Sequence, residues 1–347
     1  YNPLTGASRW NEACVPVYTT GTSIDTGGQP RESLRTVYGR IDQDIDRAIE
    51  LLEKARETTL AENNKSHINL YVALGIKSRA CLAEGDWDGA FKAAKRVIDE
   101  GGYAVGTKSD LTGGMNSHGK QNVMWGAGIQ VADQARGYAG FFTHMDNKEG
   151  AYAKSAPKLI SKQLYNRISA TDIRRDWWDP SDKESPYVSK KFSFGNVASF
   201  LGDYIYMRVE EMYFTAAEAA LRLDDLKSAR ELMNTVMAER DPGYSANNRS
   251  GTLLGATTTT WTGSFLENIL THRRIELWGE YGRLFDVCRL GQGIERRTDD
   301  GFSGERISMM NRRNVNITKA DTYDWVLTIP KAELDANPNI NEEDQNP

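Results

Sequence analysis

Glu276 and Glu280 stand four residues apart in RRIELWGEYGRLFDVCRLG (273–291), a stretch that sets seven charged residues among Ile, Leu, Trp, Tyr, Phe and Val. Paired carboxylates could serve as general acid and base, the chemistry of glycoside hydrolysis, if a cleft of roughly 5–10 Å separates them. Adjacent turns of one helix supply such a cleft only awkwardly. Arg273 and Arg283 also fall within i±3 or i±4 reach. A carboxylate neutralised by arginine has a lowered pKa and makes a poor general acid. The spacing therefore favours structural ion pairing over catalysis.

Other enzyme signatures are absent from the sequence: no GxSxG, no Walker A loop, no GxGxxG between a strand and a helix, no HExxH. His67, His118, His144 and His272 lack ligand spacing. Cys14, Cys81 and Cys288 form no CxxC, and an odd count cannot complete a disulfide framework. They read as buried or partly buried free thiols. TDDGFSGE (298–305) offers carboxylates in a Gly-rich loop without the alternating Asp/Asn of a calcium loop, and reads as solvated. Neither a metal nor a cofactor is expected.

Aromatic residues in loop-like contexts are the stronger signal. Trp10, Tyr138, Phe141, Phe142, Trp177, Trp178, Tyr187, Phe192, Phe194 and Trp261 lie beside Gly, Asp, Ser or Thr. Flat rings flanked by polar groups suit ligands with one apolar and one polar side, such as sugars or peptides. The candidate contacts are Trp10, Tyr138, Phe141, Phe142, Trp177 and Trp178, with Arg136, Asp146 and Asn147 as polar partners. The alternative is that each ring anchors its own loop onto the core. Trp125, in QNVMWGAGI, follows an apolar pattern and reads as core.

The elements that must position these groups are mainly helical. Residues 31–57 carry Leu34, Val37, Tyr38, Ile41, Ile45, Ala48, Ile49 and Leu52 at helical spacing. Residues 67–83 form a second helix, Asp86 caps a third, and Gly101-Gly102 ends it. ACLAEGDWDGAFKAAKRVI (80–98) can be laid over AALRLDDLKSARELMNTVM (219–237), pairing Ala80 with Ala219, Asp86 with Asp225 and Ala90 with Ala229. Such helix pairs follow tetratricopeptide logic, in which neither helix buries its face alone. Residues 103–204 are rich in Gly, Ser, Asn and aromatics, with one helix expected near 157–168; residues 241–263 are also irregular. Ser264 and Glu267 read as a capping box, and Pro330 as the first turn of a last helix ended by Asn337-Pro338. The expected fold class is mostly α: tetratricopeptide-like hairpins with long irregular inserts. A net charge of -5 argues against nucleic acid as a partner, and no apolar run is long enough to span a membrane.

Four separated segments together resemble the SusD/RagB family. PRESLRTVYGRIDQDIDRAIELL, YIYMRVEEMYFTAAEAALRLDDLKSARELMNTVMAER, ENILTHRRIELWGEYGRLFDVCRLG and IPKAELDANPNINEEDQNP occur in family order. The third is similar to the family's charged signature at Arg273, Arg274, Glu276, Leu277, Glu280, Arg283, Asp286 and Arg289, with His272 where Glu is usual. In the second, Arg240 is displaced by one position; in the first, Ile45 replaces Leu. The resemblance implies a single SusD-like domain: a helical core over 31–102 and 205–290, a loop-rich ligand-bearing insert over 103–204 and a closing segment over 320–347. It implies no catalysis and a structural role for the charged signature. It also implies capture of a nutrient, read as a glycan or oligosaccharide, for a SusC-like TonB-dependent transporter. The protein would lie at the cell surface on the outer membrane, held by a lipid anchor only, its signal peptide, lipidated Cys and first helices lying outside this chain. An oligopeptide ligand is the same-family alternative. A glycan-degrading helical enzyme and an intracellular tetratricopeptide scaffold are the readings from other classes.

Overall fold

The structure, a computed structural model, describes residues 9–23, 25–56, 64–130, 140–148, 150–247, 263–292, 294–295, 316–317 and 327–346. In chain order its helices are α1 (Leu34–Arg56), α2 (Leu70–Glu84), α3 (Trp87–Glu100), α4 (Lys108–Thr112), α5 (Phe141–Met145), α6 (Lys162–Tyr165), α7 (Val209–Arg222), α8 (Leu226–Ala238), α9 (Phe265–Glu276) and α10 (Arg283–Arg289). The strands pair two by two, all antiparallel: β1 (Ala13–Pro16) with β2 (Arg31–Ser33), β3 (Val123–Ala127) with β6 (Tyr204–Arg208), β4 (Trp178–Asp179) with β5 (Val188–Ser189), and β7 (Ile294–Glu295) with β8 (Asn316–Ile317). The fold is mostly helical, as the sequence indicates.

The frame is a row of helices, α1 on α2, α2 on α3, α3 on α7, and α7 on both α8 and α9. The internal repeat is its basis. Asp86 accepts the Gly89 N–H and Asp225 the Ser228 N–H, the same cap at equivalent places. Ala90 and Ala229, one turn in, are wholly buried, so small side chains let neighbouring helices close up. α2 begins at the Asn69 cap, three residues later than the sequence suggests, and is buried on several sides because it sits between α1, α3 and α7. At Gly75 a Cβ would lie 2.3 Å from the Met207 sulfur, so glycine lets α2 approach β6 without displacing that side chain.

Residues 103–204 build a second apolar core of their own around Trp177, Trp178, Phe142, Ile160, Leu164 and Phe194, which meets the frame at Ile275. The helix expected over 157–168 shrinks to the four residues of α6. The Ile160 N–H goes to the Tyr187 carbonyl and Leu159 bridges Val188, so the chain is extended until the Ser161 cap. Likewise Tyr204–Arg208 is a strand rather than the start of a helix. The closing segment is tied back to the beginning: Arg31 donates to the Ala13, Cys14 and Asp344 carbonyls and to Asn346, and Asn337 donates to the Gln29 carbonyl. Pro330 precedes the last short helix, Lys331–Ala336, by one residue. Cys14 is half-buried, Cys81 buried and Cys288 exposed, all three free thiols.

One carboxylate marks the α1–α2 contact. Burial, with Asp42 of α1 and Asp86 nearby, pushes Glu84 up from 4.5 to about 7, and its Oε1 makes no hydrogen bond among the described residues. A raised carboxylate costs nothing while protonated in both states. The cost begins as pH climbs past the ordinary value and is complete above the folded one. Glu84→Gln should therefore stabilise the protein by about 1 kcal/mol near pH 8, the half-exposed site being screened by water, and leave urea midpoints unchanged near pH 4.

Candidate functional site

The two carboxylates that opened the question are not on one helix face. α9 ends at Glu276; Gly279 and Gly282, at φ 74° and 112°, turn the chain before α10, and Glu280 lies in that turn. Neither pairs with Arg273 or Arg283, as the spacing suggested. Glu276 is wholly buried, and each of its oxygens accepts two arginine N–H groups. Oε1 takes Arg208 Nη1 and Arg240 Nη2, both at 3.0 Å; Oε2 takes Arg240 Nε at 3.0 Å and Arg174 Nη1 at 3.1 Å. Glu280 is held by Arg208 (Nε to Oε2, 2.7 Å; Nη2 to Oε1, 2.8 Å) and by Lys191 at 2.5 Å. Glu210 joins Arg208 and Arg240, and Asp172 forks onto Arg174. Arg240, displaced from the expected motif position, still reaches this cluster, and His272 Nδ1 lies 2.8 Å from Arg174 Nη2.

Burial would raise the Glu276 carboxyl, but Arg240, Arg208 and Arg174 outweigh it and hold the group well below the carboxylate range. Glu280 is likewise lowered against its burial by Arg208 and Lys191. Burial brings the Lys191 ammonium down to about 8, and its three donors go to the Glu276 and Trp278 carbonyls and to Glu280. Carboxylates with their lone pairs filled by arginine are in no state to deliver a proton. A second chain of pairs runs Arg79, Glu211, Arg273, Asp286, Arg289 and Glu218. Arg283 donates to Gln292, and Arg274 lies half-buried on α9. Six residues of the charged signature, Arg273, Glu276, Glu280, Arg283, Asp286 and Arg289, are thus engaged by groups of the protein itself.

The rings singled out by composition divide sharply. Arg136 and Tyr138, like Trp261 and the 298–305 loop, fall outside the described residues. Trp177 and Trp178, expected to stack on a ligand, are only 2% and 1% exposed. The Trp177 indole donates to the Leu111 carbonyl at 3.0 Å under the Lys191 ammonium, and Trp178 is wedged edge-on between Trp177 and Trp278. These two rings anchor the insert and have no free face. Phe142 is buried, and Asp146, also buried, accepts the Phe194 N–H at 2.8 Å, an internal role. Asn147 is half-buried. Trp10 packs edge-on against Tyr38, far along the chain from the insert, with Arg35 over its ring.

Phe141 is different. It lines an open groove of about 600 Å³ with Met115, Trp125, Phe192, Tyr204, Ile205, Tyr206, Arg79, Gly279, Glu280 and Tyr281. The frame supplies Arg79 from α2 and the α9–α10 turn; the insert supplies Phe141 and Phe192; β3 and β6 supply the ridge between them. A Cβ at Gly279 would lie 2.6 Å from the Phe192 ring, so the turn can form this floor only with glycine. Trp125, read as core, is half-buried and sits 4.9 Å from the Tyr206 ring at 60°. Tyr206 is 40% exposed. Arg79 lies 3.7 Å over the Tyr281 ring. The His118–Asp203 pair, 2.6 Å, with the Ile129 N–H on the same carboxylate, fixes the entry to β6. Within the described residues no hydrogen bond takes up the Trp125 indole N–H or the Tyr206 and Tyr281 hydroxyls. An apolar wall with a few open polar heads is the usual lining of a small-molecule site. Sequence reasoning missed most of these rings; Tyr204 and Tyr206, two apart in YIYMR, were the available sign.

No group of metal-binding side chains occurs among the described residues, and no described helix is long and apolar enough to cross a membrane. The SusD family model matches residues 133–347, more than half of the chain. Among solved structures, a SusD-like carbohydrate binding protein from Bacteroides vulgatus is 24% identical, with a TM-score of 0.73 over 96% of this chain and 71% of that one. A SusD superfamily protein from Bacteroides thetaiotaomicron is 22% identical, with a TM-score of 0.75 over 99% and 73%. Surface glycan-binding protein A from Bacteroides uniformis is 17% identical, with a TM-score of 0.65 over 97% and 75%. No curated protein matches the sequence.

The cluster itself can be tested. Glu276→Gln keeps the shape but leaves Arg174, Arg208 and Arg240 with an unbalanced buried charge, a loss of about 3–5 kcal/mol. Urea denaturation should show that drop; a catalytic rather than structural Glu276 would leave the midpoint in place.

Proposed function

The chain belongs to the SusD family, and from that membership we propose that it is a non-catalytic capture protein that binds a glycan in the aromatic groove. We propose further that it works at the cell surface on the outer membrane, held by a lipid anchor, and passes its ligand to a SusC-like TonB-dependent transporter. The observation that carries the reading is the groove lined by Trp125, Phe141, Tyr206 and Tyr281, rings of which the Trp125 indole and the two tyrosine hydroxyls have no hydrogen bond among the described residues. A sugar ring has the matching duality: C–H faces that pack on aromatic rings and hydroxyls that pair with N–H and O–H groups. Support from relatives comes from the solved SusD-like carbohydrate binding protein and the surface glycan-binding protein, which share the fold. Absence of chemistry is supported by the arginine-bound state of Glu276 and Glu280.

Retardation in native gels containing neutral polysaccharides tests this directly. Trp125→Ala and Tyr206→Ala should each weaken binding by about tenfold, the loss of one well-packed ring, with the fold intact by circular dichroism. Trp177→Ala should instead lower the melting temperature. Retardation indifferent to both groove variants, or release of reducing ends during incubation, would remove this reading.

A further inference from the structure

Among the described residues the groove is lined by two formally charged side chains, and both are already engaged from behind. Glu280 has Arg208 on both oxygens and Lys191 on one. Arg79 forks onto Glu211, Nε to Oε1 at 2.8 Å and Nη2 to Oε2 at 2.7 Å, while Nη2 also donates to the Tyr206 carbonyl at 2.8 Å. One face of the guanidinium is closed by the Tyr281 ring. The rest of the described lining is apolar or carries neutral polar heads. Resting on the glycan reading of this groove, we infer that it selects uncharged ligands and turns away carboxylated ones.

The physical reason is desolvation without compensation. A carboxylate entering an apolar groove loses water and must find a cation there. Arg79 could offer it only Nη1, its charge already matched by Glu211, whose other cation, Arg273, stands 3.7 Å away and is shared with Asp286. Glu280 on the same wall adds repulsion. A neutral polyol meets no such obstacle: the Trp125 N–H, the Tyr206 and Tyr281 hydroxyls and the remaining Arg79 Nη1 pair with hydroxyls at no electrostatic cost. The same argument disfavours an oligopeptide with ionised termini. Exclusion is thus built by keeping the groove's charges occupied, a form of selection against the wrong ligand.

Calorimetric titration with neutral gluco-, galacto- and manno-oligosaccharides, and with the same oligosaccharides oxidised at C6 to carboxylates, tests the inference. The neutral member that binds should lose about tenfold or more in affinity on oxidation, and its own affinity should be unchanged by added salt. Equal or tighter binding of a carboxylated form, weakened by salt and by Arg79→Gln but also by Trp125→Ala, would overturn the inference while keeping the groove as the glycan site. Binding that Trp125→Ala leaves untouched, or no binding by any member, would remove the groove reading and this inference with it.

Discussion

Glu276 lies wholly buried with four arginine N–H groups on its two oxygens, and much of the molecule is arranged to make that possible. An ionised carboxylate has no place in an apolar interior unless its charge is matched and every lone pair filled. The partners come from three places: Arg174 from the insert, which also sends Lys191 to Glu280, Arg208 from the end of β6, and Arg240 from beyond α8. These segments can meet only when frame and insert are docked. Arg174, Arg208, Arg240 and Lys191 face Asp172, Glu210, Glu276 and Glu280, so the cluster balances cation for anion. A buried ionic cluster is weak evidence for net stability, but breaking one is costly. We read it as what specifies one docking arrangement.

The groove follows from that docking. Its floor is the α9–α10 turn, whose Glu280 is pulled inward by Arg208; its ridge is β3 and β6, whose last residue is Arg208 itself. The residue that orders the cluster thus also sets the height of the strand carrying Tyr204 and Tyr206. The frame contributes charge that is already paired, and the strands and insert contribute rings. Rigid scaffold and exposed recognition surface are different parts of the chain, joined at one buried contact.

Local signals were legible and distant ones were not. The caps at Asp86, Asp225 and Ser264 and the stripe of α1 depend on neighbours three or four residues away, which a sequence displays. Even the Ser264 cap differs in detail: Glu267 returns to the Gly263 N–H rather than to the cap residue. The family motifs identified the family and its mostly helical fold. The partners of Glu276 lie 36 to 102 residues away, and helical spacing pointed to nearer, wrong arginines. Trp177 and Trp178 show why composition misleads about rings. A tryptophan beside Asp and Pro is equally at home anchoring a loop or facing a ligand, and only the second core decides. Trp125 shows the converse: it packs against the main core as its apolar run suggests, yet it also lines the groove.

Hydrogen–deuterium exchange with and without a retained neutral oligosaccharide tests the division between frame and groove most directly. Slowed exchange should be confined to the groove segments, around residues 115, 123–127, 141, 192, 204–206 and 279–281, with α3, α7 and α8 unchanged. Protection spread through those helices, or centred on segments away from the groove, would contradict the account.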